Sequence, residues 1–274
     1  MEWIVLVSIG LLAGAIGSLV GLGGGVIIVP ALIYFGTYTT LIDGMNPQTA
    51  VGTSLVIMIF TGLSSTLAYL KHKTVDYKSG LIFFAGSGPG SILGAWVNKG
   101  LNMESFNLYF GIFMILIAIV LMVRNKLKPI EKFKDASFQR EFTDPAGETF
   151  RYGYPPLLGA LIAFAVGFTS GLFGIGGGSL MVPAMILIFL FPPHVAIATS
   201  MFMIFLSALV SSGAHVMFGN VKWLYALALI PGAWIGAKFG AYLNTKLESQ
   251  SLVSVLRIIL ILLGVRLIYQ GITG

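Results

Sequence analysis

The stretch GLGGGVIIVP, residues 21–30, decides how this chain can fold. Four of its ten residues are glycines in the middle of a strongly apolar run, and a proline closes it at position 30. Glycine costs about 1 kcal/mol relative to alanine inside a helix, so the cluster predicts that a helix is interrupted here. The pattern returns as GIGGGSLMVP at residues 174–183, which indicates that the interruption is a repeated feature of the chain.

The composition places both interruptions in a membrane protein. The chain has 274 residues, of which 57% are hydrophobic and only 9% are charged, and its mean hydropathy is +0.93. Soluble domains carry about 25% charged residues. Several apolar runs of about 18 residues or more predict transmembrane helices rather than the short alternating segments of a barrel. The predicted fold class is therefore an all-α polytopic membrane protein.

Ten apolar segments are predicted, five on each side of one long hydrophilic stretch. They cover residues 3–20, 26–36, 48–70, 77–98, 105–123, 156–173, 179–191, 195–217, 222–243 and 251–270. The predicted organisation is a first transmembrane repeat at 1–123, a hydrophilic cytoplasmic linker at 124–153 and a second transmembrane repeat at 154–274. We interpret the linker as a solvated connector.

The first 20 residues lack a basic region, which favours a retained first span over a cleaved signal peptide.

The two halves match in several patches that keep one order. The glycine motifs lie 153 positions apart, and AVGTS (50–54) meets AIATS (196–200) at an offset of 146, which also places VDYK (75–78) opposite VKWL (221–224). At an offset of 142, PGSILGA (89–95) meets PGAWIGA (231–237). Such symmetry is common in secondary transporters.

The orientation of the halves depends on the short segments 26–36 and 179–191. If both return across the membrane, each half has five crossings and the repeats are inverted. Lys71, Lys73 and Lys78 then lie on the same side as the basic linker, as the positive-inside rule requires. A parallel four-plus-four arrangement with re-entrant segments is the alternative.

A helix that restarts after each glycine cluster would expose unpaired backbone N–H groups and the positive end of its dipole. Glycine leaves these groups uncovered, so each restart is a candidate anion site. Hydroxyls at Thr53-Ser54 and Thr199-Ser200 are expected to face the same cavity, unless they bond to carbonyls of their own helices. The candidate substrate-binding residues are Gly23, Gly24, Gly25, Val26, Thr53, Ser54, Gly176, Gly177, Gly178, Ser179, Thr199 and Ser200. The competing interpretation of the glycines is close helix packing.

A second group of residues is a candidate for the pathway or for coupling: Pro89, Gly90, His215, Pro231, Gly232 and Arg257. Kinking and close packing are the alternative for the Pro-Gly pairs, structural hydrogen bonding for His215, and snorkelling for Arg257.

The ionisable residues disfavour several function classes. No Asp or Glu lies well inside a predicted span, since Asp43, Asp76, Glu104 and Glu248 all fall in predicted loops, and this argues against cation transport. The chain has no cysteine, and its three histidines form no metal-ligand pattern. Neither an enzyme nor a metal site or cofactor is predicted. The net charge of +6 reflects the basic loop rather than a nucleic-acid partner.

The paired motifs resemble the TauE/SafE sulfite exporter family, also called the anion permease family with a DUF81-type repeat. The resemblance rests on GLGGGVIIVPAL, AVGTSL, TVDYKSG and GPGSILGA in the first half and on GIGGGSLMVPAM, AIATS and PGAWIGAKFGAYL in the second. It covers nearly the whole chain except the linker. Members often have a Trp-Arg pair where this chain has Tyr77-Lys78, in a loop that is not expected to touch substrate.

The resemblance implies a multi-pass transporter in the inner, cytoplasmic membrane of a bacterium or archaeon. The implied substrate is sulfite or a related sulfur oxyanion or organosulfonate, such as thiosulfate or sulfoacetate, and the resemblance leaves the direction of transport open. Alternating access, by movement of one helix bundle against the other, is the mechanism we expect. An anion channel of the same architecture and a cation-coupled transporter of another solute remain as alternatives. The expected partners are the small anion, the lipid bilayer and, as an alternative to a monomer, a second copy of the chain.

Overall fold

A computed structural model of the chain describes residues 2–39, 42–123, 138–143, 149–244, 246 and 250–273. Within these residues the chain forms ten helices and one pair of strands. Their bounds are α1 Glu2–Val20, α2 Gly25–Tyr38, α3 Pro47–Lys71, α4 Tyr77–Asn98, α5 Met103–Val123, β1 Phe138–Thr143, β2 Thr149–Tyr154, α6 Pro156–Phe173, α7 Gly178–Leu187, α8 Pro193–Met217, α9 Trp223–Asn244 and α10 Gln250–Thr273.

The ten helices coincide with the ten predicted apolar segments to within a few residues. Eight of the described helices are long and apolar enough to cross a membrane. The exceptions are α2, with 14 residues, and α7, with 10, and each begins at a glycine motif. The predicted class of all-α polytopic membrane protein is confirmed.

Capping residues mark where two of the long helices begin. Asn46 caps α3: its side chain accepts from the backbone N–H of Thr49, and the Thr49 hydroxyl accepts in return from the N–H of Asn46. Asp76 caps α4 by accepting from the N–H of Ser79. Such caps satisfy donors that a helix start leaves unpaired, typically for about 1 kcal/mol each.

Glycines at four-residue spacing set the helix pairs. Gly232, Gly236 and Gly240 of α9 lie against the backbone of α1 beside Val7, Leu11 and Ala15. Because both sets of numbers rise together, α1 and α9 run parallel. A side chain at any of the three glycines would overlap the backbone of α1, so the spacing permits close packing.

The pair α4 and α6 repeats this arrangement. Gly86, Gly90 and Gly94 lie against Ala160, Phe164 and Phe168. Gly86 therefore occupies the place that Gly232 has in the second half, 146 positions later. The sequence alignment that matched Gly90 with Gly232 at an offset of 142 was wrong by one helical turn. A glycine every four residues looks the same after a shift of four, so the pattern cannot fix its own register.

Two further pairs join equivalent helices of the two halves. In α3 and α8, Gly62 lies against Phe205, and Gly52 lies against Asn220, just beyond the end of α8, and against His215. The order is reversed along the two helices, so they run antiparallel. In α5 and α10, Gly111 faces Gly264, and Gly271 faces Leu108 and Glu104, which is again antiparallel.

The strands β1 and β2 form an antiparallel hairpin in which Phe138 pairs with Tyr154. Tyr152 and Tyr154 are buried, with their rings against Phe191 and Phe83. The sequence predicted a solvated connector here, and this part of it is instead docked on the helices. The reason is the run of aromatic residues in β2, whose burial outweighs its charged neighbours. Linker residues 124–137 and 144–148 lie outside the described residues.

Candidate functional site

The two glycine motifs lie against each other inside the molecule. Gly25, the first residue of α2, touches the carbonyl of Gly174, and Gly178, the first residue of α7, touches the carbonyl of Gly21. A Cβ atom at either helix start would overlap that carbonyl. The sequence left open whether the two breaks face each other, and the contacts place them together.

The connecting backbone needs glycine for a second reason. The φ angles of Gly21, Gly23 and Gly24 are 80°, 80° and 90°, and those of Gly174 and Gly176 are 68° and 72°. Residues with a side chain rarely adopt this region. Two conditions, positive φ and close approach, therefore explain why each motif needs so many glycines.

Both short helices begin without a side-chain cap. The first bonds into them are from Ile27 N to the Gly24 carbonyl, at 3.0 Å, and from Met181 N to the Gly177 carbonyl, at 3.2 Å. Within the described residues, the N–H groups of Gly25, Val26, Gly178 and Ser179 have no protein acceptor. Two positive helix ends therefore meet in a buried place, which is the arrangement that favours an anion.

Two of the four predicted hydroxyls, those of the serines, brace this crossing from the opposite half of the chain, whereas the two threonines bond to the backbone just before α9 and α4. Ser54 donates to the Gly174 carbonyl and Ser200 donates to the Gly21 carbonyl, both at 2.8 Å. Thr53 accepts from the backbone N–H of Lys222, and Thr199 accepts from that of Asp76, both at 3.0 Å. All four side chains are buried.

These bonds divide the hydroxyls into two kinds. Each serine hydroxyl donates its proton to a backbone carbonyl. It therefore has only lone pairs left to offer to a ligand. Each threonine uses a lone pair, and within the described residues its proton has no acceptor. Of these four hydroxyls, the two of the threonines could donate to an anion without first breaking a bond.

Met58 and Ile204 close the crossing from the long helices. The Met58 methyl group and the Ile204 side chain lie against both Gly23 and Gly176. The two residues occupy equivalent places in α3 and α8, 146 positions apart. Residues 21–26 and 171–179 are buried, so the crossing is closed to solvent.

His215 differs from its counterpart in the first half. In α3, Tyr69 donates to the Ser18 carbonyl at 2.9 Å and Ser65 donates to the Ser18 hydroxyl at 2.7 Å. In α8, His215 Nε2 lies 3.1 Å from the Gly171 carbonyl. Glycine at 171 offers no hydroxyl, and within the described residues His215 Nδ1 and the Ser211 hydroxyl lack a partner. A role for His215 in coupling stays a prediction.

The other pathway candidates lie on the helix contacts described above. Gly90 and Gly232 touch the backbone carbonyls of Phe164 and Val7, and Pro89 and Pro231 lie inside α4 and α9. Arg257 lies on α10, which packs against α5, and its Nε has no partner within the described residues. Their part in a pathway remains a prediction.

Asp76 is the residue whose setting the sequence did not indicate. Its side chain is 2% exposed and forms an ion pair with Arg140 of β1 at 3.2 Å. Its Oδ2 also accepts from the hydroxyls of Ser79, at 2.7 Å, and Tyr152, at 3.0 Å. Burial, followed by the negative charge of Asp76, raises the pKa of Tyr152 above its usual value.

A signal for the position of Asp76 was present. Asp76 is of a residue type preferred at helix N-caps, and it directly precedes the predicted segment 77–98. The partner could not be read from the sequence, because Arg140 lies in a hydrophilic segment 64 positions away.

The fold defines a multi-pass membrane protein with two uncapped helix starts in its core. Residues 6–267 match the family model "Sulfite exporter TauE/SafE". The chain belongs to the TauE/SafE sulfite exporter family, as its motifs predicted.

Curated relatives agree with this assignment. The chain is 59% identical to the probable membrane transporter protein YunE of Bacillus subtilis over 99% of each chain. It is 27% identical to the probable membrane transporter protein YjnA of the same organism, over 96% of this chain and 98% of the relative. It is 28% identical to the probable membrane transporter protein MJ0441 of Methanocaldococcus jannaschii, over 95% and 93%. No solved structure matches the chain significantly. The family and these names indicate a membrane transporter rather than an enzyme.

Proposed function

We propose that this chain carries a small oxyanion, sulfite or a related sulfur oxyanion or organosulfonate, across the cytoplasmic membrane by alternating access. The observation that carries the proposal is the meeting of two uncapped helix N-termini, at Gly25 and Gly178, with unpaired N–H groups. Each end carries about half a positive charge. An anion between them would satisfy the free donors and relieve the repulsion between the two dipoles.

The donors of the site follow from the hydrogen bonds already made. In this proposal the oxyanion is bound by backbone N–H groups, those of Gly25, Val26, Gly178 and Ser179. The hydroxyl of Thr53 or Thr199 adds a donor when the site opens.

Ser54 and Ser200 hold the crossing together instead, since their hydroxyls already donate to carbonyls. Sulfite is a pyramidal anion whose three oxygens all accept hydrogen bonds, so it suits donors that lie on two sides of it.

The proposal includes inverted halves. The support is that equivalent helices run antiparallel: α3 with α8, through Gly62 beside Phe205, and α5 with α10, through Gly111 beside Gly264. Two halves placed in parallel would run their equivalent helices in the same direction. Inverted repeats that exchange their conformations are a common route to alternating access.

Met58 and Ile204 are the gates in this scheme. They occupy equivalent positions on opposite helices and close the crossing together. Methionine is flexible enough to leave and return without disturbing its neighbours. Movement of α3 would open one side of the site, and movement of α8 would open the other.

The test is uptake of radiolabelled sulfite into proteoliposomes by the wild type, Thr53→Val and Thr53→Ser. Valine keeps the shape of threonine and removes the donor, so we expect KM to rise about tenfold, whereas serine keeps the hydroxyl and should stay near the wild-type value. Thermal unfolding of each variant controls for the lost bond to Lys222. An unchanged KM in Thr53→Val would contradict the assignment of this donor.

The same vesicles distinguish a carrier from a channel. A carrier coupled to a gradient accumulates sulfite above its equilibrium concentration, whereas a channel stops at equilibrium. Flux that stops at equilibrium would favour the channel, and flux that depends steeply on sodium would favour the cation-coupled transporter.

A further inference from the structure

A cavity of about 360 Å³ lies between the last turns of α3 and the second half of α9. Its lining includes the basic side chains of Lys71, His72 and Lys238 and the rings of Trp234 and Tyr242. We refer to it as the basic pocket. It lies far along the chain from the glycine motifs and takes no part in the site proposed above.

The basic pocket has the charge of an anion site. Lys71, His72 and Lys238 come from two different helices and open into one cavity. None of its lining residues, all of which lie in the described part of the chain, is a carboxylate. The two lysine charges brought together without a counter-charge repel each other, and an anion would relieve that repulsion.

The surroundings of the pocket are those of a membrane–water interface. Leu67, which also lines it, is 46% exposed, and its neighbours Leu70, Ile235 and Phe239 are 48%, 60% and 54% exposed. These apolar side chains offer a surface to acyl chains. Trp and Tyr beside them are the residues that concentrate at the headgroup level.

The two ends of the molecule differ in the side chains that they carry at the positions of the basic pocket. The positions 146 residues from Lys71, His72 and Lys238 are Met217, Phe218 and Ile92. All three basic side chains are therefore replaced by apolar ones at the opposite end, although Lys99 lies there over the ring of Phe218. A cavity lined by two lysines at these positions is therefore a feature of one end, as a site for a lipid of one leaflet would be.

The end that carries the basic pocket also carries the hairpin. Lys71 ends α3, and Asp76, which begins α4 a few residues later, is bonded to Arg140 of β1. The positive-inside rule assigns this end to the cytoplasm, and the cytoplasmic leaflet carries the anionic lipids.

We propose that the basic pocket binds the phosphate of an acidic phospholipid from the cytoplasmic leaflet. Lys71 and Lys238 bind the phosphate oxygens, Trp234 and Tyr242 hold the glycerol region, and the acyl chains lie along Leu67 and Ile235.

The test uses the full chain in an uncharged detergent, with thermal unfolding as the readout. Short-chain phosphatidylglycerol, short-chain phosphatidylcholine and inorganic phosphate are titrated separately. A ligand that binds the folded state raises the unfolding midpoint. We expect phosphatidylglycerol to raise it by several degrees and the other two to have little effect.

Two double variants locate the binding. Lys71→Gln with Lys238→Gln removes the pocket charges, and we expect the apparent affinity for phosphatidylglycerol to fall at least about tenfold, since each lysine near an anionic headgroup contributes substantially. Lys73→Gln with Lys78→Gln removes the same charge from the same end outside the pocket, and should respond like the wild type.

Three results would overturn the proposal. An equal loss in both double variants would mean diffuse attraction without a pocket. An equal rise with phosphatidylcholine would exclude recognition of the acidic headgroup. A rise with inorganic phosphate as large as with phosphatidylglycerol would make the ligand a free anion rather than a lipid. Native mass spectrometry, in which the wild type should retain phosphatidylglycerol and the pocket variant should lose it, gives a readout independent of folding stability.

Discussion

At the residue scale, most glycines of the two motifs are set by one of two physical demands, positive φ or close approach to backbone. Gly24 adopts a φ of 90°, and Gly25 and Gly178 lie against carbonyls that leave no room for a side chain. The demand for space is the stronger one, because an overlap with backbone cannot be relieved by a rotamer change. This predicts which glycines tolerate substitution.

Gly178→Ala should strongly reduce the amount of folded protein. Its Cβ would overlap the carbonyl of Gly21 and crowd the hydroxyl of Ser200. The matched control is Gly213→Ala in α8, where the added Cβ meets nothing within 4 Å, so that alanine should raise helix stability by up to about 1 kcal/mol. Fluorescence-detected size exclusion and thermal unfolding compare the two. Equal stability would show that the crossing is not as tight as described.

Ser200→Ala separates bracing from binding. The variant loses the bond to the Gly21 carbonyl, and we expect the free energy of unfolding to fall by about 1–2 kcal/mol. KM for sulfite should change far less than in Thr53→Val, because the serine proton is already in use. A large rise in KM without loss of stability would instead place Ser200 in the binding site.

At the scale of helices and strands, the apolar runs predicted the bounds of the helices to within a few residues. Two features of the fold could not be predicted from the sequence. The register of α4 against α9 could not be read from glycines that repeat every four residues. The docking of the hairpin depends on Asp76 and Arg140, which are far apart in sequence and are both of types that usually face water.

Arg140→Gln should destabilise the folded chain by about 3 kcal/mol or more, since it leaves a buried carboxylate without its cation. The matched control lies in the same hairpin: Arg151 pairs with Glu141 on the surface, where both side chains are mostly exposed. Arg151→Gln should cost less than about 1 kcal/mol. Thermal unfolding of both variants tests this, and similar losses would mean that the Asp76 pair contributes no more than a surface pair.

At the scale of the whole molecule, the matched hydrogen bonds relate the two halves. Ser54 and Ser200 bond to equivalent carbonyls, and Thr53 and Thr199 accept from equivalent N–H groups. The symmetry fails at Tyr69 and His215, and at the basic pocket. The matched bonds are common to the two halves, whereas Tyr69, His215 and the basic pocket distinguish one half from the other.

The inverted arrangement has a direct test, because the chain has no cysteine of its own. His72→Cys and Phe218→Cys place thiols at equivalent positions, just after α3 and just after α8. In intact cells, a membrane-impermeant maleimide should label the second thiol and not the first. Labelling of both, or of neither before lysis, would favour the parallel arrangement.

The central claim is that an oxyanion binds where the two helix N-termini meet. Selenite resembles sulfite in shape and charge, and its selenium scatters anomalously, so crystals grown with selenite can locate the anion. We predict an anomalous peak within hydrogen-bond reach of the N–H groups of Gly25, Val26, Gly178 and Ser179. A peak in the basic pocket beside Lys71 and Lys238, with none between the two helix starts, would contradict the account.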